Sequence, residues 1–128
     1  MPRYLVSAET TFSAAHTLPG VELCERLHGH NWRVRLTVTV DETALDPAGM
    51  GLDFRIVEQL ARDTVADFDH RYLNDLAPFR DAPPTAERIA KVVSDRAADR
   101  LGRDGAAAAV EEVEVWETSA YRVVYRPQ

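Results

Sequence analysis

The sequence predicts an α+β domain in which two helices cover one face of a four-stranded antiparallel sheet. Three observations lead to this prediction: two N-terminal segments have strand character, two central segments have helical periodicity, and two β-branched segments follow near the C-terminus. The expected order is therefore strand, strand, helix, helix, strand, strand. The chain has 128 residues, 45% of them hydrophobic, which suffices for one domain over residues 1–128 with its own core.

The first two strands are predicted from residue type and alternation. Residues 4–11 are rich in β-branched side chains and precede the turn signal Leu18-Pro19-Gly20. From His28 to Val40 the chain alternates strictly, so one face of a long strand is apolar and the other is polar. The polar face carries Asn31, Arg33, Arg35, Thr37 and Thr39.

Each helix is predicted from a cap residue followed by an apolar stripe. Asp53 is the expected N-cap of a helix that ends near Asp69, and Thr85 is the expected N-cap of a second helix that ends before Gly102. Spacings of three and four place one set of residues on the buried side of each helix. These are Phe54, Val57, Leu60, Ala61, Thr64, Val65 and Phe68 in the first, and Ile89, Val92, Val93, Ala97 and Leu101 in the second.

The last two strands are predicted at residues 110–117 and 120–126, with Thr118-Ser119 as a short hairpin link. An open four-stranded sheet has two edges with unpaired backbone groups, which another subunit can pair. We therefore expect a homo-oligomer.

Composition excludes several classes of function. The formal net charge of −6 argues against a nucleic-acid-binding protein, because phosphate contacts require a basic face. No apolar run approaches the roughly 18 residues of a membrane span, so a cytoplasmic protein without membrane contact is expected. One cysteine cannot form an internal disulfide. Cys24 is thus either a small buried apolar group or a reactive thiol.

Three histidines suggest a metal site. His28 and His30 leave the same face of a strand about 7 Å apart along the backbone, and His16 follows the neighbouring strand. Three neutral imidazoles with an open fourth position are typical of catalytic zinc. The motif His-x-His alone is weak evidence, and these residues are equally compatible with ordinary core or surface histidines.

Further candidates for chemistry lie near these histidines or in other motifs. Cys24 precedes the second strand, and a thiolate near a metal has a lowered pKa and can act as a base. The adjacent Asp69 and His70 form a possible acid–base pair, although a solvated loop histidine is more common. The Glu117 carboxylate could hold a planar donor pair of a substrate, or it could simply pair with an arginine on a neighbouring strand.

Taken together, the motifs resemble those of the 6-pyruvoyltetrahydropterin synthase family. The resemblance is closest to its bacterial 6-carboxytetrahydropterin synthase branch, which acts in queuosine biosynthesis. The matching motifs run in family order over nearly the whole chain: FSAAH, Cys-x-x-x-His-Gly-His, GMGLDF, DHRYLND, PTAERIA and WETSAYRVVY. The resemblance implies a T-fold whose trimers form a β-barrel and stack as a homohexamer, with active sites between subunits.

The resemblance also implies roles for individual residues. His16, His28 and His30 correspond to ligands of Zn²⁺, and Cys24 corresponds to the catalytic proton acceptor. Further correspondences concern proton relay and binding of the pterin ring. Asp69 and His70 match the relay pair, Glu117 matches a carboxylate that anchors the pterin and belongs to the relay, and Thr85 and Ala86 match groups that contact the pterin.

The implied reaction converts 7,8-dihydroneopterin triphosphate to 6-carboxy-5,6,7,8-tetrahydropterin, with release of acetaldehyde and triphosphate. Zinc would act as a Lewis acid. The spacing Cys-x-x-x-His favours this carboxy product. Only seven residues separate His16 from Cys24, fewer than in relatives, which bears on side-chain specificity. The alternatives are a 6-pyruvoyltetrahydropterin synthase, which only eliminates triphosphate, and a T-fold protein that binds pterin or metal without catalysis.

Overall fold

The computed structural model describes residues 2–128, apart from the side chain of Cys24. It contains one sheet and two helices that pack against it, as predicted for an α+β fold. The strands are β1 (Arg3–His16), β2 (His28–Asp41), β3 (Arg71–Tyr72), β4 (Ala109–Trp116) and β5 (Arg122–Tyr125). The helices are α1 (Phe54–Val65) and α2 (Ala86–Arg103).

The sheet has five strands in the order β3-β1-β2-β4-β5, one more than the sequence predicted. The additional strand, β3, pairs in parallel with β1 at Ala14 and Ala15 only. All other pairings are antiparallel. A two-residue strand is too short to show alternation, so the sequence carries no signal for it.

The β1–β2 pairing is the longest in the sheet and sets the position of the histidines. β1 continues to His16, five residues beyond its predicted end, and His16 lies directly opposite His28. Both strands direct their even-numbered residues toward the helices, and Phe12 stacks on Trp32 with ring centroids 5.8 Å apart. The core thus extends up to the histidine end of the sheet.

Both helix starts are capped as predicted. The Asp53 carboxylate accepts the Arg55 backbone N–H, and the Thr85 hydroxyl accepts the Arg88 N–H. Hydrogen bonds from the Arg55 side chain and backbone lower the pKa of Asp53 to about 2. The prediction that Phe54 is a core residue is wrong, since its side chain is 69% exposed. It is the first residue of α1 and lines a surface groove together with Ala8 and Glu58.

The opposite face of the sheet carries an arginine–glutamate network. Glu114 is buried and accepts hydrogen bonds from Arg35 and Arg122 at 3.0 and 2.9 Å. The guanidinium of Arg33 lies 3.9 Å from the centre of the Trp116 ring. The predicted polar face of β2 is confirmed in this network. Within the described residues, neither helix is long and apolar enough to cross a membrane.

Candidate metal centre

Three imidazoles converge at the end of the β1–β2 pair. The ring centroids of His16 and His28 are 4.5 Å apart, those of His28 and His30 are 4.9 Å apart, and those of His16 and His30 are 5.3 Å apart. His16 and His28 face each other across the ladder, and His30 is two residues along the same face of β2. The predicted histidine cluster is therefore formed within a single chain.

Glu117 is the fourth member of this group. It follows β4, and its backbone N–H donates to the Tyr121 carbonyl, which closes the turn toward β5. Its Oε1 atom lies 3.2 Å from Nε2 of His16 and 2.9 Å from Nε2 of His30. One donor atom from each of the four residues lies within 4.8 Å of all the others, a spacing that suits a single metal ion.

Backbone carbonyls orient two of the rings. Nδ1–H of His16 donates to the Pro84 carbonyl at 2.9 Å, and Nδ1–H of His28 donates to the Arg26 carbonyl at 2.7 Å. A neutral imidazole with its proton on Nδ1 keeps a lone pair on Nε2. Such a hydrogen bond to the second ring nitrogen is typical of metal-ligating histidines. These tautomers leave the Nε2 lone pair of both rings available to a metal ion.

The inward nitrogens have no other partner among the described residues. Nε2 of His16 and Nε2 of His30 are buried and have no hydrogen-bond partner of good geometry, although Oε1 of Glu117 lies 3.2 and 2.9 Å from them. Buried polar atoms without partners are rare and are explained when an ion binds between them. Three imidazole nitrogens and one carboxylate oxygen are a donor set that zinc accepts, so the residues fit the predicted metal.

The electrostatics of His30 favour the neutral form that a metal requires. Burial is the largest effect and lowers the pKa of His30, and the nearby His16 and His28 rings act in the same direction. The Glu117 carboxylate opposes this shift. The net direction is downward, so the ring has its lone pair available at neutral pH.

Asp69 and His70 form the predicted pair, but they are not among the four clustered residues. Oδ2 of Asp69 lies 3.1 Å from Nδ1 of His70, while Oδ1 accepts the Ser13 backbone N–H at 2.9 Å. These contacts lower the pKa of Asp69, the Ser13 N–H contributing most. His70 is the only non-glycine residue with positive φ in the described chain, at 59°. Its side chain is 82% exposed and borders a groove of about 460 Å³ that His30 also lines.

The remaining predicted residues differ in how the structure places them. Cys24 lies in a short 3₁₀ segment, Leu23–Glu25, just before β2, and its side chain lies outside the described part of the chain. Thr85 caps α2 and Ala86 is its first residue. Both directly follow Pro84, whose carbonyl holds His16, so they lie next to the cluster along the chain.

Sequence reasoning missed the groups that hold the histidines in place. The carbonyls of Pro84 and Arg26 are backbone groups, so no residue type reveals them. Trp32 packs edge-on against His16 and His30 at centroid distances of 5.1 and 5.3 Å, and its ring nitrogen donates to the Ala14 carbonyl. The alternation of β2 placed Trp32 on the histidine face, which was the available signal for its contact with them.

The sheet, its two helices and the histidine cluster define a T-fold protein with a candidate metal centre. The chain matches the family model described as 6-pyruvoyl tetrahydropterin synthase over residues 5–128, and it belongs to that family.

Two relatives named 6-carboxy-5,6,7,8-tetrahydropterin synthase support this membership. The Bacillus subtilis protein is 34% identical over 122 residues, covering 91% of this chain and 80% of that protein. The Synechocystis protein is 38% identical over 91 residues, covering 68% of this chain and 69% of that protein.

Solved structures support the fold. The Caenorhabditis elegans 6-pyruvoyl tetrahydropterin synthase superposes with a TM-score of 0.80 at 22% identity, covering all of this chain and 98% of that one. The Plasmodium falciparum 6-pyruvoyl tetrahydropterin synthase superposes with a TM-score of 0.67 at 19% identity, covering 96% of each chain.

Proposed function

We propose that this protein is a zinc-dependent lyase that converts 7,8-dihydroneopterin triphosphate to 6-carboxy-5,6,7,8-tetrahydropterin, releasing acetaldehyde and triphosphate. The observation that carries the proposal is the convergence of His16, His28 and His30, with two buried Nε2 atoms that lack hydrogen-bond partners. The two relatives named as 6-carboxy-5,6,7,8-tetrahydropterin synthases favour the carboxy product.

His16, His28 and His30 would hold the zinc, and Glu117 lies close enough to be a fourth ligand. When bound, zinc supplies a Lewis acid that makes a carbon-bound proton next to a chelated oxygen more acidic. The protein contributes a rigid and partly buried donor set, since His16 is fully buried and its Nδ1–H is fixed by Pro84. Such fixed donors need little rearrangement when ligand binds.

Proton transfer is assigned to Cys24, His70 and Asp69. Cys24 is placed in this role by its position four residues before His28, and it would take the proton from the substrate side chain. Asp69 fixes Nδ1 of His70, which leaves Nε2 of that ring free to exchange protons. Because the His70 side chain is highly exposed in one subunit, it can serve a site that a neighbouring subunit completes.

Glu117, Thr85 and Ala86 are assigned to pterin binding. A carboxylate can accept two parallel N–H bonds from the amidine-like edge of the pterin ring. Glu117 is partly exposed, with 28% of its side-chain surface accessible, so it can reach a ligand as well as the imidazoles. A substrate that enters the centre would compete with the histidines for this carboxylate.

The proposed assembly is a homohexamer of two stacked trimers. Among the described residues, β1 has no strand partner beyond Ala14 and Ala15 on its outer side, and β5 forms the other edge of the sheet. Leu5, Phe54 and Ile56 are more than half exposed. Free strand edges and exposed apolar residues both favour subunit contacts. Light scattering coupled to size exclusion tests this, and a monomer at micromolar concentration contradicts it.

The decisive experiment for the activity is a product assay. Purified zinc-loaded protein is incubated with 7,8-dihydroneopterin triphosphate, and products are identified by mass spectrometry. We expect 6-carboxy-5,6,7,8-tetrahydropterin together with acetaldehyde. A pyruvoyl product without acetaldehyde would instead indicate a 6-pyruvoyltetrahydropterin synthase. Bound but unchanged substrate would indicate a pterin-binding protein that lacks catalysis.

A further inference from the structure

The residue that follows His16 is held by a side-chain amide from another part of the chain. The Thr17 backbone N–H donates to Oδ1 of Asn74 at 2.9 Å, and Nδ2 of Asn74 donates to the Thr17 carbonyl at 3.0 Å. One carboxamide thus satisfies both the donor and the acceptor of a single backbone residue. The Thr17 hydroxyl also lies 3.1 Å from the hydroxyl of Tyr72.

The Asn74 side chain extends the hydrogen bonding between β1 and β3 to Thr17, beyond the point where the backbone of β3 turns away. β3 pairs in parallel with β1 at Ala14 and Ala15, and the chain then turns into a 3₁₀ segment at Leu73–Asp75. The buried Leu73 side chain anchors this turn in the core. The Asn74 amide takes the place of the next backbone amide, a substitution that asparagine makes well because it offers one donor group and one acceptor.

The contact between Asn74 and Thr17 lies next to His16, whose ring is held by further contacts. His16 is fully buried, pairs with His28 across the β1–β2 ladder, and donates through Nδ1 to Pro84. β1 ends at His16, so a contact at Thr17 adds to those that prevent the strand end from fraying. Asn74 supplies that contact through two hydrogen bonds.

We propose that Asn74 is a positioning residue for the metal centre: through Thr17 it fixes the backbone of His16, so that Nε2 of that ring points into the cluster. The inference rests on the proposed function, because it assumes that His16 is a ligand. Asn74 is not one of the four clustered residues. Its effect is on the free energy of metal binding, since a ligand that must be ordered at binding lowers affinity.

The experiment measures metal affinity and coordination geometry directly. Asn74→Ala removes both bonds to Thr17, and Asn74→Asp keeps an acceptor for the Thr17 N–H but offers no donor to its carbonyl. Asp46→Ala is the matched control, because Asp46 also makes two side-chain bonds to backbone N–H groups, those of Ala48 and Met50. Asp46 lies beyond the far end of β2 from His28.

Zn²⁺ affinity is measured by competition with a chromophoric chelator, and the geometry of bound Co²⁺ by its visible absorption. We expect Asn74→Ala to weaken Zn²⁺ binding about tenfold or more and to alter the Co²⁺ spectrum. Asn74→Asp should lie between Asn74→Ala and wild type, and Asp46→Ala should equal wild type. If Asn74→Ala does not fold, reduced affinity in Asn74→Asp carries the test.

Wild-type affinity and an unchanged Co²⁺ spectrum in the folded Asn74 variants would overturn the inference, even if the melting temperature falls. This result is distinguishable from failure of the proposed function. If His28→Ala loses the metal while Asn74→Ala binds as wild type does, only the role of Asn74 is wrong. If His28→Ala also keeps the metal, the proposed centre itself is wrong.

Discussion

The carboxylate of Glu117 and the imidazole of His30 face each other at 2.9 Å between Oε1 and Nε2, yet no hydrogen bond satisfies that nitrogen. The same oxygen lies 3.2 Å from Nε2 of His16. Because the Pro84 carbonyl holds the His16 proton on Nδ1, the lone pair on Nε2 of His16 and the Glu117 carboxylate face the same small volume, and a cation placed there would relieve their repulsion. This relationship distinguishes the cluster from ordinary buried histidines, which pair with a donor or acceptor.

The first prediction concerns the ligands. His28→Ala should reduce bound zinc to well below one per subunit, because the two imidazoles that remain cannot form the three-nitrogen site. Metal content by inductively coupled plasma mass spectrometry checks this. His70→Ala is the control and should retain zinc, since His70 lies outside the cluster. Full zinc occupancy in His28→Ala would place the metal elsewhere.

The second prediction separates metal binding from turnover at Glu117. Glu117→Gln keeps the size of the side chain but removes its charge, so zinc should remain bound by the imidazoles while kcat/KM falls about 100-fold or more. Glu111→Gln is a matched control on β4, where the native carboxylate pairs with Arg3. Wild-type kcat/KM in Glu117→Gln would remove this residue from the catalytic assignment.

The third prediction is a pH dependence at the start of α1. The pKa of Asp53 falls from 3.8 to about 2 on folding, so the ionised carboxylate stabilises the folded state. This stabilisation is complete above about pH 4 and is lost as the pH falls through about 2. Asp53→Asn should therefore lower the melting temperature near neutral pH, and its difference from wild type should shrink toward pH 2. Asp81→Asn, at an exposed loop residue that caps no helix, is the control for the substitution itself.

The fourth prediction compares two glycines. A Cβ at Gly51 would lie 2.7 Å from Cγ1 and 3.1 Å from Cβ of Val40, which is buried and stiff. Gly51→Ala should therefore destabilise the fold by about 1–3 kcal/mol. Gly102→Ala lies in α2 with open space around its Cβ and should stabilise by about 1 kcal/mol. Chemical denaturation measures both, and equal effects would contradict the packing argument.

The elements with strong periodicity could be predicted from sequence, and those fixed by long-range contacts could not. The alternation from His28 to Val40 gave β2 correctly, and the caps Asp53 and Thr85 marked both helix starts. β3 was missed because two residues show no period, and its pairing depends on the approach of residues 71 and 72 to β1. Phe54 fits the helical stripe, but the first turn of α1 extends past the edge of the core.

The histidine side chains of the candidate site could be predicted from the sequence, but the groups that hold them in place could not. The sequence pattern indicated His16, His28 and His30, and strand geometry explains why they meet. The Pro84 and Arg26 carbonyls became apparent only when the loops were placed. Asn74 lies in the DHRYLND motif, but its two bonds to Thr17 depend on β3, which the sequence did not reveal.

Because β3 is only two residues long, most of one edge of β1 is left without a paired strand in the described chain. On the side of β1 away from β2, residues 3–12 form an extended edge with no strand beside them among the described residues. A newly made or dissociated subunit would expose this edge to any extended polypeptide, which is how edge-to-edge aggregation begins. If the protein forms the proposed homohexamer, dilution that separates its subunits should therefore promote precipitation, and rapid reassociation should protect each copy.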